Sequence, residues 1–180
     1  MKIIGTWRWR DLKIHIIGCS GSGKTYLANV LSKIYNIPHF DLDDVYWDNH
    51  TEGYGVKRSI EDRNISLQKI LTNSDWIIEG VYYKWVQQSF DEADKIYVLN
   101  MPKHLYKCRI IIRFIKRKLG MEKGKKESLK SVYNLLKWTD TFQNENLRAI
   151  ENILKKYNDK VIWFSSKKDV QHFLNENYNI

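Results

Sequence analysis

Eight consecutive residues, Gly18-Cys19-Ser20-Gly21-Ser22-Gly23-Lys24-Thr25, satisfy the pattern G-x-x-x-x-G-K-[ST] at every constrained position. The chemistry they offer is anion capture. Glycines admit positive φ and let the backbone approach phosphate oxygens with no Cβ in the way. The N–H groups of Gly21 to Thr25 then converge at the start of a helix, where the dipole favours negative charge. Lys24 is placed to reach the terminal phosphates of a nucleotide and the Thr25 hydroxyl to hold Mg²⁺. Gly18, Ser20, Gly21, Ser22, Gly23, Lys24 and Thr25 together form the expected cradle. Phosphoryl transfer needs positioning and charge stabilisation more than covalent chemistry, and three carboxylates could contribute. Asp43 is expected at the C-terminal edge of a short strand, where it could hold an acceptor hydroxyl and take its proton. Capping a following helix is its alternative role. Asp41, two residues back, shares its face if the strand is regular. Glu79 ends an apolar strand and is expected to order the Mg²⁺ shell or else to anchor a buried hydrogen bond.

The elements that must position these groups follow from periodicity. Short apolar runs predict strands at 12–17, 37–42, 76–78, 95–99 and 161–164. Three- and four-residue spacing predicts helices at 24–35, from Ser59 through Leu71 with Ile60, Leu67, Ile70 and Leu71 on its apolar side, along the segment after Pro102, and at 142–157 and 168–174. Strands alternating with helices imply an α/β fold with a parallel sheet. In the helix after Pro102, Leu105, Cys108, Ile112, Ile115 and Leu119 form the expected buried stripe, with Arg109, Arg113 and Lys116 or Arg117 along an adjacent exposed row. Residues 120–126 break the pattern and read as a charged loop. Trp76 and Trp163 are expected in the core, and Trp138 under the helix that precedes it.

The chain has 180 residues, 43% hydrophobic and 28% charged, which excludes intrinsic disorder as its main state. No apolar run approaches bilayer length, no export signal is legible, and Cys19 and Cys108 are too few for a disulfide framework or a zinc site, so a cytoplasmic protein without a membrane partner is expected. The five histidines show no metal spacing. Of 30 basic and 21 acidic residues, eleven and two lie between Lys103 and Lys130, so this one segment carries the whole +9 net charge. A localised basic patch implies a polyanion, nucleotide or nucleic acid.

Four further stretches stand in a telling order around the phosphate loop: Leu42-Asp43-Asp44-Val45-Tyr46-Trp47, Trp76-Ile77-Ile78-Glu79-Gly80-Val81-Tyr82, Ala93-Asp94-Lys95-Ile96-Tyr97-Val98-Leu99-Asn100-Met101-Pro102, and Arg109 with Arg113. With the loop, they resemble the adenylate-kinase-like P-loop proteins, and within them the DNA topology modulation (FlaR-related) group, over residues 12 to 175. Glu79, Val81 and Asn100 depart from the residues usual in that group. The resemblance implies a three-layer α/β/α fold with the phosphate-loop strand central in a five-stranded parallel sheet, ATP as donor, and a lid near residues 117–128. Residues 1–11 are then an extension and 12–180 the kinase-like domain. Arg109, Arg113 and Arg117 are the candidate lid arginines, suited to bidentate phosphate contact.

The leading expectation is a Mg·ATP-dependent kinase of a small molecule such as a nucleoside or nucleotide, monomeric or homodimeric. An ATP-binding protein associated with DNA or RNA, through the basic segment and its Tyr106, Phe114 and Tyr133, is the alternative, and a polynucleotide kinase would reconcile the two; a non-catalytic nucleotide-binding regulator is the third reading. Trp47, Tyr82 and Tyr83 could stack on an acceptor, and Ser165 and Ser166 follow the strand where related folds seat adenine.

Overall fold

The computed structural model describes residues 11–48, 56–121 and 128–178. Residues 1–10 of the expected extension, and 122–127 within both the charged loop and the lid, lie outside these ranges. Five strands form one all-parallel sheet: β1 (Lys13–Gly18), β2 (His39–Asp41), β3 (Trp76–Gly80), β4 (Lys95–Leu99) and β5 (Val161–Phe164), in the order β2-β3-β1-β4-β5. Around it run α1 (Lys24–Tyr35), α2 (Leu42–Tyr46), α3 (Ile60–Leu71), α4 (Gln87–Glu92), α5 (Lys103–Lys118), α6 (Leu129–Thr141), α7 (Leu147–Leu154) and α8 (Lys167–Tyr178). β1, β3 and β4 are covered on both faces, which is why they read as continuous apolar runs instead of alternating ones.

Local chemistry explains most boundaries. α1 stops where Asn36 adopts the left-handed conformation (φ 55°), two residues before Pro38. Ser59 caps α3, its hydroxyl accepting from the Asp62 amide at 3.0 Å while donating to the Asp62 carboxylate at 2.7 Å. The Ser166–Asp169 pair does the same for α8. His15, at the middle of β1, is wholly buried against Phe90. The Ser89 hydroxyl donates to the Val86 carbonyl and so accepts from His15 Nδ1, leaving Nε2 bare. Burial holds this imidazole neutral, its pKa lowered to about 3.

The structure corrects several expectations. β2 ends at Asp41, and Asp43 lies in the first turn of α2, so the two carboxylates do not share a strand face. Asp41 itself caps α2, accepting from the Asp43 amide at 2.8 Å. Trp76 is fully buried, but Trp163 is 39% exposed, because β5 is an edge strand. Ile60 projects into solvent from the first turn of α3. The helix expected over 142–157 begins earlier, as α6, and continues through a π-helical turn at Phe142–Asn146 into α7 and a closing 3₁₀ turn. Trp138, half-buried, packs on Phe142.

The largest correction concerns α5. Its expected buried stripe faces outward: Cys108, Ile112, Ile115 and Leu119 are exposed, and only Leu105 is half-covered. The inward face instead carries Tyr106 and Ile110, both fully buried, with Arg109, Arg113 and Arg117 half-buried along the same row. Tyr106 and Ile110 pack directly on the phosphate loop, where a Cβ on Gly21 would meet the Tyr106 carbonyl at 3.0 Å. Periodicity shows that a helix has two faces; what each face meets decides which one turns inward.

Candidate phosphate-binding site

The parallel register brings Gly18, Asp41, Glu79 and Leu99 to one edge of the sheet, the C-terminal edge where open α/β sheets bind ligands. The loop leaves β1 there and turns into α1 through two left-handed glycines, Gly21 (φ 80°) and Gly23 (φ 105°). Gly23 caps α1 without a side chain, and the first turn holds no acidic residue. The start of this twelve-residue helix therefore has no side-chain cap and no carboxylate of its own against the dipole. The Ser22 hydroxyl is buried and unpartnered beside it. These features suit an anion.

Lys24 is buried with its ammonium donating to the Cys19 carbonyl at 3.2 Å and lying 3.8 Å from Glu79 Oε2. The Thr25 hydroxyl donates to Glu79 Oε1 at 2.5 Å. Burial alone would push the Glu79 carboxyl up; the His39 ring, the Lys24 ammonium and the Thr25 hydroxyl outweigh it and hold it below the usual carboxylate range. His39 Nε2, 3.7 Å from Glu79 Oε1, makes no hydrogen bond of its own. Two hard oxygen donors, a hydroxyl and an ionised carboxylate, thus stand together beside the anion cradle, the chemistry that Mg²⁺ selects. The Asp41 carboxyl goes the other way, pushed up to about 7 by burial and by the nearby Glu79 and Asp43 charges. Burial raises the Cys19 thiol to about 12, so it is not a reactive thiolate.

On α2, Asp43 Oδ1 accepts from the Tyr82 hydroxyl at 2.8 Å. The Tyr82 ring stacks on Tyr46 at 4.6 Å and 25°, and Trp47 and Trp85 flank the pair. The Arg63 guanidinium lies over the Tyr46 ring at 4.7 Å. Of the aromatic residues expected near an acceptor, Trp47 and Tyr82 join this group, while Tyr83 turns toward Asn146. Ser165 and Ser166 donate their amides to the Asp169 carboxylate.

Arg109 does something that sequence spacing does not reveal. Its Nη1 donates to the carbonyls of Gly21 at 2.9 Å and Ser22 at 2.8 Å, tying α5 to the phosphate loop. Both carbonyls lose their partner in Arg109→Leu, which should cost about 2 kcal/mol, or roughly 5 °C in melting temperature for a chain of this size. Calorimetry of the nucleotide-free protein checks this; an unchanged melting temperature would mean that the clamp contributes nothing before nucleotide arrives.

Sequence reasoning also missed His39, Arg63, Trp85 and the π-helical turn. Gln143 there donates to the Met101 carbonyl at 2.9 Å, and Asn144 accepts from Lys103 at 2.9 Å. The polar run Phe142-Gln143-Asn144-Glu145-Asn146, interrupting an apolar periodicity, was the available signal.

No protein-family model matches this chain. Over 145 residues it is 28% identical to a Bacillus subtilis protein, the uncharacterized protein YqaC, covering 80% of each. Among solved structures it is similar to a gluconokinase from Sinorhizobium meliloti, with a TM-score of 0.54 at 12% identity over 92% of this chain and 89% of the other. An uncharacterized protein from Eubacterium ventriosum gives a TM-score of 0.51 at 15% identity over 94% and 99%. At such identities the likeness is one of fold: this chain shares the α/β architecture of the gluconokinase structure.

Proposed function

We propose that this protein is a phosphotransferase that moves the terminal phosphoryl group of Mg·ATP to a hydroxyl of a small molecule. One observation carries the reading: an α1 N-terminus without a side-chain cap, with buried Lys24 and the Thr25–Glu79 pair beside it, on the sheet edge where Asp43 also stands. Bound ATP supplies the transferable group, and its Mg²⁺ neutralises developing charge. Thr25 and Glu79 would hold that ion. The amides of Gly21 to Thr25 and the Lys24 ammonium orient the phosphate chain. Asp43 receives the acceptor's hydroxyl and takes its proton, with Tyr82 fixing its carboxylate. Arg109 shapes the loop from behind, and Arg113 and Arg117, on the same face of α5, supply positive charge toward the transferring group.

The nucleic-acid reading has less support. Tyr106, one of the three aromatics named with the basic segment, is fully buried. The test is an ADP-release screen with Mg·ATP against nucleosides, nucleoside monophosphates, neutral sugars, sugar acids and 5′-hydroxyl oligonucleotides. Sugar acids belong in it because one structural neighbour is a gluconokinase. Turnover with a small hydroxylated compound supports the proposal. Turnover confined to oligonucleotides replaces it with polynucleotide kinase activity, and no ADP release with any acceptor overturns it.

A further inference from the structure

α5 is amphipathic in an unusual sense. Its charged arginines face the protein, and its apolar stripe faces water. Ile111, Ile112, Ile115 and Leu119 are 42%, 51%, 48% and 68% exposed. At 100° per residue they occupy one broad arc, with exposed Lys118 bordering it on one side and exposed Lys116 on the other. From Lys103 to Met121 there are seven basic residues and no acidic one. At the far end of the same hairpin, Leu129 and Tyr133 on α6 are 72% and 66% exposed. A contiguous aliphatic stripe left in water calls for a cover.

Charge and shape select among the covers. A second copy would bring one set of lysines against another across a twofold axis. A helix face is a convex ridge and offers no groove to seat a peptide. An anionic bilayer surface needs no shape complement. It accepts an apolar arc into the headgroup boundary while flanking lysines reach its phosphates. We propose that the outward face of α5 docks this protein peripherally on anionic lipid. This means lying on a bilayer, not crossing one: no described helix is long and apolar enough to cross. The docking is independent of the phosphotransferase reading, because the two use opposite faces of the helix.

The test is co-sedimentation of the full chain with vesicles of phosphatidylglycerol and phosphatidylcholine, and with phosphatidylcholine alone. Binding to the anionic vesicles is expected to exceed binding to the neutral ones at least about tenfold. Ile112→Asp/Ile115→Asp should weaken it about tenfold or more. Lys116→Glu/Lys118→Glu should weaken it by about fivefold per unit of charge removed. Unchanged melting temperatures in both variants show that the fold is intact. No sedimentation with anionic vesicles overturns the proposal. So does equal sedimentation of the double aspartate variant, which would reduce the effect to charge alone. A wild-type dimer that the same variant makes monomeric, without vesicle binding, assigns the stripe to a second copy instead.

Discussion

Lys24→Ala is expected to abolish the thermal stabilisation that Mg·ATP confers on the wild type. A ligand at a hundred times its Kd stabilises the folded state by about 2.7 kcal/mol, a shift of roughly 5–10 °C for a chain of this length. In the variant two changes act in one direction. The cradle loses the only cation that the structure places among the loop's own residues, and the Glu79 carboxylate, buried beside it, is left facing the phosphates without its 3.8 Å ammonium neighbour. A site that attracted an anion through charge would then repel one. Lys24→Met, which keeps the volume and removes the charge, should behave the same way, so the effect reads charge and not packing. Differential scanning calorimetry with and without Mg·ATP decides it, and an undiminished shift in either variant would move nucleotide binding away from this loop.

Asp43→Asn is expected to lower turnover by about 10² to 10⁴, the usual worth of a positioned general base, while leaving the Mg·ATP shift intact. The separation follows from position. Asp43 lies on α2, beyond the end of β2, and its contact is with Tyr82, not with Lys24 or Thr25. The amide of the variant still accepts from the Tyr82 hydroxyl, so the local geometry survives and the proton acceptor is lost. Steady-state kinetics with the acceptor found by ADP release checks this. Full activity would shift the base to Asp41, whose carboxyl is held near pH 7 by burial and neighbouring charge. Asp41→Asn, which can still cap α2, would then be the variant that fails.

Much of this arrangement is written in local sequence. The loop pattern marks Gly21 and Gly23, and the structure gives both the left-handed φ that only glycine adopts cheaply. α1 runs from Lys24 to Tyr35 and β4 from Lys95 to Leu99, as periodicity predicts. The Ser59 cap follows from a hydroxyl three residues ahead of a carboxylate. Asp43 was the harder case. A helix of five residues, α2, is too short to show a periodicity, so a strand ending one residue later looked equally good.

The amino-acid order by itself determined the phosphate loop, the five strands and the two-faced character of α5, because each depends on neighbours within a few residues. Only the tertiary structure decided which face of α5 points inward. The deciding contacts, from Arg109 to the Gly21 and Ser22 carbonyls, span 88 and 87 residues of chain. The same holds for the Thr25–Glu79 pair, 54 residues apart, and for the Tyr82 hydroxyl on Asp43, 39 apart. Periodicity registers how apolar a face is. It carries no record of unsatisfied carbonyl oxygens elsewhere in the fold, and here a guanidinium turned toward those oxygens while isoleucines were left in water.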